Sequence, residues 1–315
     1  MKIRFSILLL LFATALLYGC GGGEEDTESA SVGSELSADE QAFRALFDIE
    51  EDPALLAASE DFLRDHPDSP RRSFVLSNVF DLRAAIDETG AVAWAREMLP
   101  RETSDSGKAA IYGAMFGRAV TKGDRDAGLR IANDFWELDL KDSRTLNSIG
   151  WQLVEDTGWD PVLGGRMGEK AAGLVEGTER AMCLDTAAWG YFKADDLQGA
   201  ERLLEEAVGL LDEPDLEFTL HLKAVYEKLG AADKLLALIE KQLAVCVNSE
   251  LRVKAEDIIS RRGGDLKAFD ERIWAARMAG SSVAPDFELS DMNNIGMHLT
   301  DFGGKVLVLN FFYPT

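Results

Sequence analysis

Residues 181–214 read AMCLDTAAWGYFKADDLQGAERLLEEAVGLLDEP. Leu184, Ala187, Ala188 and Tyr191 fall at helical spacing before a polar break, and Ala200, Leu204 and Ala207 do so after it. The small residues let two antiparallel helices approach closely, and the large ones fill the gap between them. The spacing returns at an offset of 35 in Leu222, Tyr226, Gly230 and Ile239, with Lys223 where a small residue is wanted. Upstream, Leu146, Ile149-Gly150 and Leu153 fit a further first helix, followed by an extra loop around Trp159-Asp160-Pro161.

The seven residues of 181–214 occupy positions 4, 7, 8, 11, 20, 24 and 27 of a unit that resembles the tetratricopeptide repeat. The resemblance implies a mainly α fold, an α-solenoid of stacked hairpins, with a protein partner on its repeats. From Ser37 to Gly280 the chain predicts roughly a dozen helices and no strand, so the repeat domain is placed at 37–280. Ser37 and Glu40 have capping-box spacing. Asp52-Pro53 reads as an N-cap followed by proline, opening a helix that runs to His66. Another helix is expected from near Pro70 to Gly90, with later breaks at Pro100, Gly123 and Asp142. The segment from Ser37 to Lys141 reads as related hairpins that have drifted from the repeat.

Residues 1–19 read as an export signal: Lys2 and Arg4 precede an apolar core, Ile7 to Leu17, that is short for a transmembrane span. Leu17-Tyr18-Gly19-Cys20 resembles the lipobox of bacterial lipoproteins, which implies lipidation of Cys20 and anchoring to the cell envelope. Residues 20–36 form an acidic tether with no Lys or Arg between Arg4 and Arg44, too polar to offset the entropy of ordering. Gly21 after Cys20 resembles lipoproteins passed to the outer membrane, on the periplasmic side.

Residues 284–315 read APDFELSDMNNIGMHLTDFGGKVLVLNFFYPT. Phe287 and Leu289 alternate with polar neighbours as in a half-buried strand, Asn293-Asn294 predicts a turn, and Met297 to Leu299 a second short strand. After Gly303-Gly304, the run Val306 to Leu309 predicts a strand buried on both faces. The pieces A-P-D-F, L-x-D-F-x-G-K (Leu299 to Lys305) and the apolar run ending in Asn310-Phe311 resemble the entry into a thioredoxin-like domain, the opening strands of an incomplete α/β domain at 283–315. The resemblance implies a thiol–disulfide oxidoreductase whose first redox residue would stand at position 316, one beyond Thr315. Phe311-Phe312-Tyr313-Pro314 resembles the peroxiredoxins instead, an antioxidant alternative whose nucleophile lies further on. A recoded UGA codon after Thr315, specifying selenocysteine, is one expectation for that boundary; a contig edge or a frameshift is the other. On this reading residues 1–315 are inactive alone, and a non-enzymatic scaffold lipoprotein is the other function class.

Within the repeats no catalytic, cofactor-binding or metal-ligating set stands out. His66, His221 and His298 are far apart and read as surface or helix-end residues. Cys183 and Cys246 lie at the start of one repeat's first helix and after the second helix of the next, and read as two separate small residues rather than a bridge. Gly164-Gly165 lacks the Lys and Ser/Thr of a phosphate loop and reads as a turn. Trp94, Trp136, Trp151, Trp159, Trp189 and Trp274 are expected mostly in packing, some lining the partner face. The formal net charge of −23 argues against nucleic acid as a ligand.

Overall fold

Short polar side chains write most of the helix starts. Ser104, Asp124, Asp142, Asp160, Asp196, Asp215, Asn248 and Asp265 each accept a backbone N–H from two or three residues downstream. Each such cap stabilises its helix by ~1 kcal/mol. The computed structural model describes residues 36–282, 286–290, 296–305 and 307. The expected signal at 1–19, Cys20, the tether up to residue 35, the Asn293-Asn294 turn, and the run 306–312 apart from Leu307 lie outside the described residues. Among those described, no helix is long and apolar enough to cross a membrane.

The chain divides into two units, up to Asp48 and from Ile49 onward. The first holds α1 (Ala38–Ala45) and a 3₁₀ turn, Leu46–Asp48. Ser37 caps α1 by accepting from the Glu40 N–H, while the Glu40 carboxylate pairs with Arg44, so half of the expected capping box forms this way.

The second unit holds α2 (Asp52–Asp65), α3 (Arg72–Ile86), α4 (Glu88–Met98), α5 (Asp105–Lys122), α6 (Arg125–Glu137) and α7 (Ser143–Trp151). It continues with α8 (Pro161–Ala172), α9 (Gly177–Lys193), α10 (Leu197–Gly209), α11 (Leu216–Leu229), α12 (Ala232–Val245), α13 (Ser249–Arg261) and α14 (Leu266–Ala279). From α3 the helices pair as six consecutive hairpins, α3/α4 to α13/α14. The first helices also touch one another in order, α3 on α5, α5 on α7, α7 on α9 and α9 on α11. Five of the six hairpins turn through a left-handed residue: Gly123, Gly158, Asp195, Gly230 and Gly263, with φ of 68°, 60°, 69°, 67° and 64°. These residues recur every 33 to 37 positions, which is the repeat written in the backbone. The six hairpins, mainly α, are therefore built on one plan.

The 181–214 register is realised. Leu184, Ala187, Ala188, Ala200, Leu204 and Ala207 are all buried, and Tyr191 is half-buried. Lys223, expected to be out of place, is also half-buried, and its ammonium reaches Glu227 and Glu250 at 3.4 and 3.2 Å.

α2 starts at Asp52 with Glu51 as N-cap, one residue early, so Pro53 still sits in the first turn. The helix from Pro70 does not reach Gly90. It ends at Ile86, and Asp87 turns the chain and caps α4 by accepting from the Thr89 N–H. Gly90 lies in the first turn of α4, where a Cβ would stand 2.6 Å from the Asp87 carboxylate. Gly164-Gly165 is no turn but the middle of α8. A Cβ on Gly164 would lie 2.6 Å from the Gly150 carbonyl oxygen in α7, and one on Gly190 in α9 would lie 2.6 Å from the Gly165 Cα. The two glycines are there so that three backbones can meet.

Arginines tie successive helices together. Arg72 donates to the Leu63 carbonyl at the end of α2 (2.8 Å) and to Glu102 (2.9 Å). Arg180 links the Ala172 carbonyl at the end of α8 (2.7 Å) to Glu206 (2.7 Å). Arg277 donates to the Leu243 and Cys246 carbonyls at the end of α12, at 2.6 and 3.0 Å. The last carbonyls of a helix have no partner within it and carry its negative pole, so a guanidinium there satisfies both needs.

After α14 comes a two-stranded antiparallel hairpin, β1 (Glu288–Ser290) and β2 (Gly296–His298), in the register Leu289 opposite Met297. The expected strand at Met297 to Leu299 begins and ends one residue early, because Leu299 opens a 3₁₀ turn (Leu299–Phe302) in which the His298 N–H donates to Asp301 at 2.8 Å. Leu289, expected to be half-buried, is 54% exposed.

Candidate functional site

Two first helices carry the same stripe of side chains. Asn147, Trp151 and Glu155 follow one another at i, i+4, i+8, and Asp185, Trp189 and Lys193 do so 38 residues on. On α9 the stripe lies along one regular face. On α7 it is completed by a π turn, Gln152–Asp156, that prolongs the helix. Single π turns mark functional sites in many helices. Here the loosened backbone presents the Val154 carbonyl to the Lys193 ammonium (2.9 Å). It also brings Glu155 to Lys193 and to the Trp189 indole N–H, which donates at 2.7 Å. Lys193, and then the Trp189 N–H, hold the Glu155 carboxyl below its usual range, against the opposing effect of burial.

A third first helix, α11, contributes His221. Its Nδ1 lies 2.8 Å from the Asp185 carboxylate, with both side chains largely buried. An ionised carboxylate only accepts, so Nδ1 is the donor. The imidazole stacks on Trp189 at 4.2 Å between centroids and 18° between planes, and meets Trp151 at 6.0 Å. Trp189 stacks in turn on Phe192, at 4.7 Å. Side chains of α7 and α11 thus meet over α9. Trp151, Trp189 and Phe192 stay half-buried, so the face is apolar and still in contact with water.

His221 is therefore not the surface residue that its sequence context suggests. It sits inside α11, and its partner Asp185 is 36 residues away. His66 is the C-cap of α2, packed on Phe62 at 5.1 Å, and His298 is the N-cap of the 3₁₀ turn, so both stand at helix ends as expected. No group of three or more His, Cys, Asp or Glu among the described residues is placed to hold a metal. Cys183 lies in α9 and Cys246 caps α12, both as free thiols. Burial, with Glu179 adding to it, pushes the Cys183 thiol up to about 11, which leaves it unreactive. Cys246 accepts from Gln242 at 3.3 Å, and Gln242 accepts from Thr219 at 2.7 Å.

Of the six tryptophans, Trp151 and Trp189 build this face. Trp159, from the extra loop, fills the space over Gly128, where a Cβ would come within 2.3 Å of its ring. Trp94 lies under Arg83 and Trp136 under Lys170. Trp274 is 64% exposed on α14. Two open hollows, of about 420 Å³ beside Arg180 and about 210 Å³ between Tyr226 and Arg262, are shallow and hold no converging reactive groups.

No family model matches the chain, and no curated protein does. Solved structures similar to it include that of MamA protein, at 20% identity, covering 56% of this chain and 98% of that one with a TM-score of 0.43. A tetratricopeptide repeat protein from Parabacteroides merdae is 14% identical, covering 78% and 94% with a TM-score of 0.40. BtubC (BKLC) from P. vanneervenii is 15% identical, covering 81% and 98% with a TM-score of 0.42.

Proposed function

We propose that this chain is a non-enzymatic docking scaffold built on tetratricopeptide-like repeats, and that the first-helix face of α7, α9 and α11 receives an extended protein segment. The paired stripes carry the reading: half-buried tryptophans flanked by polar side chains at equivalent positions of successive repeats are what a recognition surface needs. The chain's net charge of −23 favours a segment bearing Lys or Arg. Panning a random peptide library on the protein tests this. Peptides enriched on the wild type should lose at least about tenfold in affinity on Trp151→Ala/Trp189→Ala and keep it on Trp274→Ser. Equal binding to the double variant would remove the face from the proposal.

Anchoring through lipid on Cys20 to the periplasmic side of the outer membrane belongs to the same proposal and would hold the scaffold at the envelope. Palmitate labelling that survives Cys20→Ser would overturn it. The β1–β2 hairpin favours a second reading of the stretch after Gly280, because it falls where a thioredoxin-like domain would begin. In that reading the repeats dock a thiol–disulfide oxidoreductase or peroxidase whose redox residues are encoded beyond position 315. The test is the genomic sequence after the Thr315 codon: an in-frame Cys, or a UGA followed by one, supports it, and unrelated coding sequence rejects it.

A further inference from the structure

Gly117 lies inside α5, and packing does not explain it: a Cβ there would meet nothing within 4 Å. Gly113, one turn earlier, at least faces α7, since a Cβ on it would stand 3.4 Å from the Thr145 side chain. An interior glycine weakens a helix relative to alanine. The room at Gly117 is therefore kept on the outside of the fold. Its place in the repeat says on which face. Gly117 stands six residues before the left-handed residue Gly123, as Trp189 stands six before Asp195. Trp151 stands seven before Gly158, the added residue being supplied by the π turn. Asp81 of α3 stands six before Asp87, where the chain turns into α4. One position of four successive first helices thus reads Asp81, Gly117, Trp151, Trp189. The contacts agree. Arg118, next to Gly117, donates to the Ala84 carbonyl, about one turn past Asp81, at 3.4 Å. Arg118 is otherwise held by Glu88 at 2.8 Å. Asp81 keeps no hydrogen bond or ion pair among the described residues, and its side chain is open to water. Crowding by the surrounding chain pushes its carboxyl up to about 6, with the Arg118 charge opposing. Glu155 and Asp185 differ, their carboxylates being taken by Lys193 and His221.

We propose that Asp81 receives a Lys or Arg of the docked segment, whose backbone runs over Gly117 to reach Trp151 and Trp189. The assignment rests on the docking function of the tryptophan face and names what the partner must carry. Asp81 is an unneutralised carboxylate on that face, and a cation is its complement. Packed helices lie about 9 Å apart, so the two steps from α3 to α5 to α7 span roughly 18 Å, or roughly five to six residues of extended chain. The segment bears its cation at that distance from the apolar residues that meet the tryptophans.

Panning a random peptide library on the full chain supplies the probe. The enriched peptides should carry Lys or Arg and lose about fivefold in affinity on Asp81→Asn. Changing that Lys or Arg to Gln should cost the same on the wild type and nothing further on Asp81→Asn. Gly117→Leu should leave Tm unchanged or higher, because open space receives the side chain and leucine favours helix, yet weaken binding at least about tenfold. Enriched peptides that lack Lys and Arg, or that bind Asp81→Asn as they bind the wild type while losing affinity on Trp151→Ala/Trp189→Ala, would overturn this inference and leave the face standing. So would losses that simply add between peptide and protein changes. A Gly117→Leu protein that binds normally, or that melts lower, would overturn the path over α5. A library that enriches nothing removes the face and the inference together.

Discussion

The α7–α8–α9 crossing and the α13–α14 hairpin are both contacts between antiparallel helices, and they are held together by different forces. In the crossing, α8 buries Leu163, Gly164, Gly165, Met167, Gly168, Ala171 and Ala172, and its glycines put backbone against backbone. In α14 only Phe269 and Ile273 are buried, while Trp274 and Met278 are more than half exposed. Beside Phe269 and Ile273, α14 is tied by the surface pairs Arg252 to Asp270 and Arg272 to Glu240, and by the Arg277 clamp on the carbonyls that end α12. Close approach depends on shape and is insensitive to solvent. Exposed ion pairs are each worth ~1 kcal/mol or less and are screened by salt. One array therefore contains a rigid centre and a soft end.

The contrast breaks first, and hardest, at Gly168. A Cβ there would lie 2.7 Å from the Ala187 backbone nitrogen and 2.9 Å from the Cys183 carbonyl oxygen, neither of which can swing aside. Gly168→Leu should cost about 3 kcal/mol in urea unfolding, the upper end for overpacking. A loss below ~1 kcal/mol would mean that the crossing can open. Next comes Ala200, fully buried in α10 against α9. Ala200→Leu should cost ~1–3 kcal/mol by the same measurement. The soft end should be the part that acid reaches. Arg252 first holds Asp270 below its ordinary range, so the pair's contribution is present above an unfolded value of about 4 and is lost as pH falls through the lower folded one. Hydrogen exchange at about pH 3 should show α13 and α14 opening before α8 and α9. Simultaneous opening would make the array one cooperative block. Least of all, Trp274→Ser should change stability by no more than ~0.5 kcal/mol, since the side chain lies on the surface. A larger loss in thermal melts would show that Trp274 is packed in solution.

What was legible in the sequence was whatever repeats or acts locally. The burial of Leu184, Ala187, Ala188, Ala200, Leu204 and Ala207 followed from spacing alone, the break at Gly123 from its missing Cβ, and the break at Asp142 from its capping carboxylate. The misreadings share a cause. Gly164-Gly165 looks like a turn because a glycine pair weakens a helix locally, and only the approach of α7 and α9 explains why it is tolerated. His221 looks unremarkable because Asp185, Trp189 and Trp151 come to it from other helices. One signal could have found the face. The triplets 147/151/155 and 185/189/193 match at a single offset of 38, a coincidence of polar and aromatic positions that a search confined to apolar ones passes over.

The arginine clamps have a direction. Arg72, Arg180 and Arg277 each reach back to carbonyls at the end of an earlier helix, and Arg118 does the same to the Ala84 carbonyl near the end of α3. A chain leaving the ribosome makes its helices in that order. Four helices, α2, α3, α8 and α12, then emerge with carbonyls that a later arginine closes. At those four ends the order of closure follows the order of synthesis: what has been made is completed by what comes next.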